Sequence, residues 1–367
     1  MIISPEQWGK IKVSKHHYAL TLAKKGNIVY YLNPPNITGP FSINIQNIKP
    51  NLNIINYRTF FRGSNRLPMF IRKFIHSYFA KNLLKFIDQS IDITWSFDPS
   101  SFQYLDAFGA KLNIYHAVDV HKLRFEKAII KYTDIIFATS DKILDRFNKT
   151  DTLKFKINHG LADNFLLSNK NIDGFIKNKN RLKVGYVGNL HYRYLDVNIL
   201  MDIISNNPLL DFYFIGPYEE SNIDIKKRNS KLIDSLQNFE NVTLVGVVAS
   251  EDLNGYLQHF DAFLMCYSGD KNTSEMANPH KILEFLSTGK VIVSHYIDEY
   301  KNYNDIICMS KNNNNLGKLF KDVVANLDYY NSNRKRYNRL KLAKNNTYKK
   351  QLNRIEKLLI SIGKENE

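Results

Sequence analysis

The residues best suited to chemistry crowd into one stretch, NTSEMANPHKILEFLSTGKVIVSH, residues 272–295. Lys281 and Glu284 stand one helical turn apart, with Ile282, Leu283, Phe285 and Leu286 supplying an apolar stripe around them. Asn278 and Pro279 offer a cap and a first-turn residue, so the spacing predicts a helix that starts near Pro279 and stops at Gly289 in a left-handed conformation. Val291-Ile292-Val293 then reads as a strand covered on both faces, as in a parallel sheet. A helix entrance in such a sheet offers free N–H groups and partial positive charge, which suit phosphate. There Lys281 can meet a diphosphate and Glu284 a ribose hydroxyl. The competing reading of the pair is a solvated helix face without chemistry.

A second set opens at LKVGYVGNL, residues 182–190, a strand that runs into a glycine-containing loop. Gly185 and Gly188 let backbone approach a phosphate, Asn189 follows in the loop, Arg193 can pair a phosphate in a two-pronged way, and Asp196 can begin a helix. The strands FYFIGP, which carries Gly216, and NVTLVG follow. A third set comes after the strand LNIY, where His116, Asp119 and His121 fall at the carboxyl end of a parallel strand, the end at which such sheets place chemistry. Asp119 reads equally as a general base or as the cap of a helix starting near Lys122. His116 is the second candidate for the same role, against the alternative of a strand-end histidine. No Asp-x-Asp occurs, and the two cysteines, Cys266 and Cys308, lie in apolar runs, so the reading includes no metal site, no disulfide framework and a reducing compartment.

These residues need an α/β scaffold to hold them. Strands and helices alternate through the chain: a helix over 12–25, strands at 28–32, 53–57, 91–97, 112–115 and 134–138, then the strands of the second half, a helix at 253–260 and a strand at 262–266. The expected fold is α/β, two Rossmann-like domains on parallel sheets. Their boundaries fall at 1–167 and 182–330, with the polar segment 168–181 as linker and 331–367 as further basic helices. The chain's 367 residues, 44% of them hydrophobic, suffice for two cores.

Charge is unevenly placed. The formal net is +16, and no acidic residue occurs between Glu6 and Asp88, where thirteen lysines and arginines lie. Lys15, His16, Arg58, Arg62, Arg66, Arg72 and Lys73 are the candidates there for an acceptor or an anionic membrane surface. Leu67 to Ile87 reads as a helix with Phe70, Ile71, Phe74, Ile75, Tyr78, Phe79, Leu83 and Phe86 on one side and Arg72, Lys73, Lys81 and Lys85 off it, either an interfacial helix or a core helix with a basic outer face. Lysines and arginines are not interleaved in a nucleic-acid reading motif, which argues against nucleic acid as partner. No uncharged apolar run reaches about 18 residues and no leader is evident, so the expected location is cytoplasmic, with the inner face of the plasma membrane left open as a place of work.

The segment NPHKILEFLSTGKVIVS resembles the donor-site signature of GT-B glycosyltransferases of the family 4 type, and Lys281 with Pro279 ahead of Glu284 is similar to bacterial polysaccharide transferases of the teichuronic-acid and xanthan glucuronosyl kinds. The opening helix, the strand ending in Asn33-Pro34-Pro35, and Asn158-His159-Gly160 resemble them as well. The resemblance implies the two Rossmann-like domains facing across a cleft, with the C-terminal helices of 331–367 packing back on the first, and a hexosyl- or glucuronosyltransferase, which the absence of Asp-x-Asp makes metal-independent. It would need no cofactor, taking a nucleoside-diphosphate sugar as donor and a glycan or lipid-linked acceptor, in capsule or lipopolysaccharide synthesis. Glu284 would then hold the donor ribose, and the acceptor-side catalytic residue would lie in the loop of His116 and Asp119. That family places a second glutamate eight positions earlier; here the position is Met276 and the nearest acid is Glu275. A GT-B-like protein without activity is the alternative this departure keeps open.

Overall fold

The structure, a computed structural model, describes residues 1–36, 42–58, 67–167, 172, 174–218, 230–268 and 278–365. The chain divides into two compact units, one formed by Met1–His159 with Tyr348–Glu367 and the other by Gly160–Thr347. Each is built on its own parallel sheet, as the alternation of elements predicts.

Unit 1 contains β1 (Ile2–Ile3), β2 (Val29–Leu32), β3 (Ile43–Lys49), β4 (Leu52–Tyr57), β5 (Ile93–Ser96), β6 (Leu112–Ala117), β7 (Ile135–Ala138) and β8 (Leu153–Lys156). Their spatial order is β3-β4-β2-β1-β5-β6-β7-β8. Every pairing is parallel except the hairpin of β3 on β4, which turns through Asn51 at φ 64°. The direction of winding reverses between β1 and β5, the point at whose carboxyl ends sheets of this kind place their ligands. One face of the sheet packs on Phe79, Leu83, Phe102 and Phe108. On the other, Tyr18 meets Trp95, Phe97 and His116.

Unit 2 contains β9 (Lys183–Val187), β10 (Asp211–Ile215), β11 (Val242–Gly246), β12 (Ala262–Met265), β13 (Val291–His295) and β14 (Cys308–Ser310), ordered β11-β10-β9-β12-β13-β14 and parallel throughout. This is the doubly wound order, with its reversal between β9 and β12. Val291, Ile292 and Val293 are wholly buried, as a strand covered on both faces requires.

Three expectations change. Of the segment read as a linker, residues 174–181 pack on unit 2: the Phe175 ring lies against Tyr213, Tyr256 and Phe260, and Arg181 pairs with Asp211. The basic C-terminal region divides, with helix Asn333–Asn345 in unit 2 and helix Tyr348–Glu365 in unit 1, where Tyr348 stacks on His17 at 4.8 Å and Glu356 pairs with Lys25. Helix Met69–Ile87 buries His76, Phe79, Ala80, Leu83 and Ile87, not the whole apolar stripe read from the sequence. Phe70, Phe74, Tyr78 and Phe86 of that stripe face solvent.

Candidate functional site

The loops beyond β9, β10 and β11 continue the hydrogen-bonded ladder: Gly188 N–H donates to Ile215 O at 2.9 Å, and Gly216 N–H to Gly246 O at 2.8 Å. Gly216 has φ +139°, and a Cβ there would lie 2.1 Å from Gly188 O, so only glycine fits where these two backbones meet. Gly188 is itself tight against the Tyr186 ring. Asn189 turns the loop by accepting the His191 N–H at Oδ1, 2.8 Å away. Gly185, read from the sequence as a phosphate approach, has a different purpose: its Cβ would strike the Phe260 ring at 2.4 Å, so it serves packing inside β9.

The loops that leave β9 and β12 at the reversal point are joined. Leu195 bridges Tyr267, Ser268 N–H donates to Tyr194 O at 2.7 Å, and the Tyr192 ring meets Tyr267 edge-on. Arg193 rides on this loop, exposed, with its guanidinium over the Tyr194 ring at 4.2 Å. It has no carboxylate partner among the described residues. Tyr267 in turn donates its N–H to His295 Nδ1 at the end of β13, and burial lowers the His295 pKa to about 4, which keeps that imidazole neutral at pH 7. The tyrosine cluster and His295 escaped sequence reasoning because they are scattered over the loops after β9 and β12 and the end of β13 and form no motif.

Lys281 and Glu284 pair with each other. The helix is shorter than the sequence suggests, Lys281–Leu286 with His280 as its first flanking residue, and Asn278 and Pro279 lead into it through the Ile282 N–H to Pro279 O bond. Gly289 stops the turn at φ 75°. Phe285 stacks on Phe263 at 4.3 Å, fixing the helix on the sheet, and the buried Arg339 donates to Gly289 O at 3.1 Å and to Ile306 O at 2.9 Å, clamping the far end. Glu284 is 9% exposed, so the pair is not a solvated face. Lys281 Nζ lies 3.0 and 3.3 Å from the two carboxylate oxygens, and His280 Nε2 is 4.0 Å from Oε1. Burial raises the Glu284 pKa, while the adjacent ammonium opposes the shift. The result is a desolvated ion pair, strong only while both members remain.

In unit 1, Asp119 lies exposed in the bend after β6, and helix Leu123–Ile130 begins from Lys122 with no side-chain cap. The capping role therefore does not fall to Asp119, and it makes no hydrogen bond or ion pair with any described residue. Its loop is nevertheless fixed. Arg146 pairs with the buried Glu126 and donates to His121 O at 3.1 Å, and the His121 N–H donates to Glu126 Oε1 at 3.2 Å. Sequence reasoning missed this pair because twenty residues separate its members. His116 belongs to the interior: 1% exposed, it is stacked on Phe97 at 5.0 Å and Trp95 at 5.9 Å, and burial lowers its pKa to about 3.

Two of the basic candidates also turn inward. Lys15 is buried and paired with Glu6, and His16 bonds Gln7 O and stacks on Tyr31, with burial lowering its pKa to about 4. The structure thus withdraws both from any surface contact. Lys73 pairs with Asp106 at 3.2 Å, Arg58 and Arg72 are half-buried, and Arg62, Arg66 and Glu275 lie outside the described residues.

The sequence matches no family model and no curated protein. Solved structures share the fold. A sucrose-phosphate synthase from Thermosynechococcus elongatus superposes with a TM-score of 0.71 at 13% identity, covering 99% of this chain and 98% of the other. HepE from Anabaena, in complex with UDP and glucose, gives 0.70 at 13% identity, covering 98% and 99%. An α,α-trehalose 6-phosphate synthase from Burkholderia multivorans gives 0.68 at 11% identity, covering 100% and 97%. The chain therefore has the GT-B fold, two Rossmann-like α/β domains, over its whole length.

Proposed function

We propose that the protein is a glycosyltransferase whose unit 2 holds a nucleoside-diphosphate sugar, with a glycan or lipid-linked acceptor in bacterial cell-surface polysaccharide synthesis. The observation that carries this reading is the Lys281–Glu284 pair at the helix entrance, its carboxylate buried and its ammonium half-buried. A sheet has no structural need for a desolvated ion pair, which a pair of apolar residues would replace at no loss of stability. A ribose hydroxyl donating to Glu284 and a diphosphate facing Lys281 would give each charge a second partner besides the other. The complex of HepE with UDP and glucose supports the choice of nucleotide.

The chemistry follows from charge. Departure of a nucleoside diphosphate builds negative charge on its leaving oxygen, and cations fixed beforehand stabilise that charge without reorganisation. Lys281 and Arg193 supply them in a metal-independent reaction. Gly188 and Gly216, whose backbones meet at the ends of β9 and β10, are the backbone candidates for contact with the diphosphate. If the configuration at the anomeric carbon inverts, Asp119 takes the acceptor hydroxyl's proton, since it is exposed and engaged by no described residue, in a loop that Arg146 and Glu126 hold in place.

Isothermal titration of the intact chain with UDP and GDP tests the reading. Glu284→Gln keeps the shape and removes the charge, and is expected to weaken UDP binding by about tenfold, or roughly 1.4 kcal/mol. Lys281→Ala should weaken it at least as much and also lower the melting temperature, because it leaves a carboxylate buried alone. Unchanged affinity in the folded Glu284→Gln protein would return the pair to a purely structural role.

A further inference from the structure

We propose that one face of helix Met69–Ile87 docks on an anionic lipid surface, with Phe70, Phe74 and Tyr78 as its anchors. These three rings are 74%, 73% and 52% exposed. They succeed one another at i, i+4 and i+8, and Lys81 and Lys85, both exposed and read from the sequence as lying off the apolar stripe, continue the same line along the helix. Aromatic and cationic side chains therefore share a single face, opposite the one that Phe79, Leu83 and Ile87 bury. A monomer in water gains nothing from three neighbouring exposed rings, and a patch of this kind marks a surface that something covers.

Charge decides what covers it. The sequence has no acidic residue between Glu6 and Asp88, and Asp106, the carboxylate on the helix's flank, is taken up by Lys73. An acidic bilayer complements this face. A helix lying in the interface plane sinks its rings about 5–10 Å, to the boundary of headgroups and acyl chains, while lysines on the same stripe reach the phosphates. No described helix is long and apolar enough to cross a membrane, so contact along the helix is the geometry available. The inference rests on unit 1 alone and stands or falls separately from nucleotide binding.

Co-sedimentation of the full chain with vesicles of phosphatidylglycerol and phosphatidylcholine, beside vesicles of phosphatidylcholine only, tests it. The expected result is binding to the anionic vesicles alone, falling steeply with salt because surface attraction is screened within about 8–10 Å at physiological ionic strength. Phe70→Ser/Phe74→Ser and, separately, Lys81→Glu/Lys85→Glu should each reduce partition at least tenfold with an unchanged melting temperature, since all four side chains are exposed. Equal binding to both vesicle types, no binding, or full binding by the aromatic double variant would overturn the proposal. So would a wild-type dimer in light scattering that the aromatic variant dissolves, which would assign the face to a second copy.

Discussion

Asp119 and His116 lie three positions apart on one strand and its loop, yet their surroundings give them opposite fates. The carboxylate sits in water without a partner among the described residues, whereas the imidazole is enclosed by Tyr18, Trp95, Phe97 and Phe137 and stays neutral. Replacing each separates chemistry from packing. Asp119→Asn is expected to lower turnover by at least a hundredfold while leaving UDP affinity within twofold and the melting temperature unchanged, because the lost interaction belongs to the transition state and no helix cap is removed. His116→Ala should instead lower the melting temperature by leaving a cavity among the rings. Product formation assayed with UDP-sugars, beside thermal melts, checks both. Full turnover in Asp119→Asn would remove the base from this loop.

At the scale of elements, the loop-helix-strand module of residues 278–295 was largely legible. Gly289 announced its left-handed stop and Val291-Ile292-Val293 its burial, since both follow from local rules. The length of the helix was not legible, because its clamp, Arg339, lies fifty residues away. Helix Met69–Ile87 was legible as a helix but not in its orientation: apolar residues run most of the way around it, and partners distant in sequence, Tyr57, Phe102 and Phe108 among them, decide which side is core. The strand ends offer a clean test. Gly216→Ala combines a left-handed φ with a clash against Gly188 O, whereas Gly109→Ala meets φ +63° with nothing within 4 Å. Urea denaturation should show about 1 kcal/mol lost for Gly109→Ala and more than about 3 kcal/mol for Gly216→Ala. Equal losses would mean that the strand-end loops of unit 2 yield without resistance.

For the whole molecule, acid is the revealing variable. His16, His76 and His116 in unit 1 and His295 in unit 2 are buried, and burial lowers their pKa values to about 4, 4, 3 and 4. Unfolded, each titrates near 6.5. Their contribution is therefore fully present above about pH 6.5 and is lost as pH falls toward 4, by up to about 1.4 kcal/mol per pH unit for each group. With three such residues against one, unit 1 should be the more acid-sensitive. Calorimetric scans from pH 7.5 to 4.5 are expected to show a melting temperature that is steady above pH 7 and falls below 6.5, with the transition of unit 1 moving further. A constant melting temperature down to pH 5 would contradict the neutral burial of these imidazoles.

The division of unit 1 between Met1–His159 and Tyr348–Glu367 sets a timetable for biosynthesis. About 190 residues separate its two parts, which at roughly 5–20 residues per second puts some 10–40 s between their appearances. Throughout that interval the helix Ser14–Lys24 presents Tyr18 and His17 without the Tyr348 ring that later covers them. Unit 2, contiguous in sequence, can finish its sheet meanwhile. The unit translated second is thus the first able to complete itself, and the nascent unit 1 is the form of this protein most in need of protection from aggregation and proteolysis.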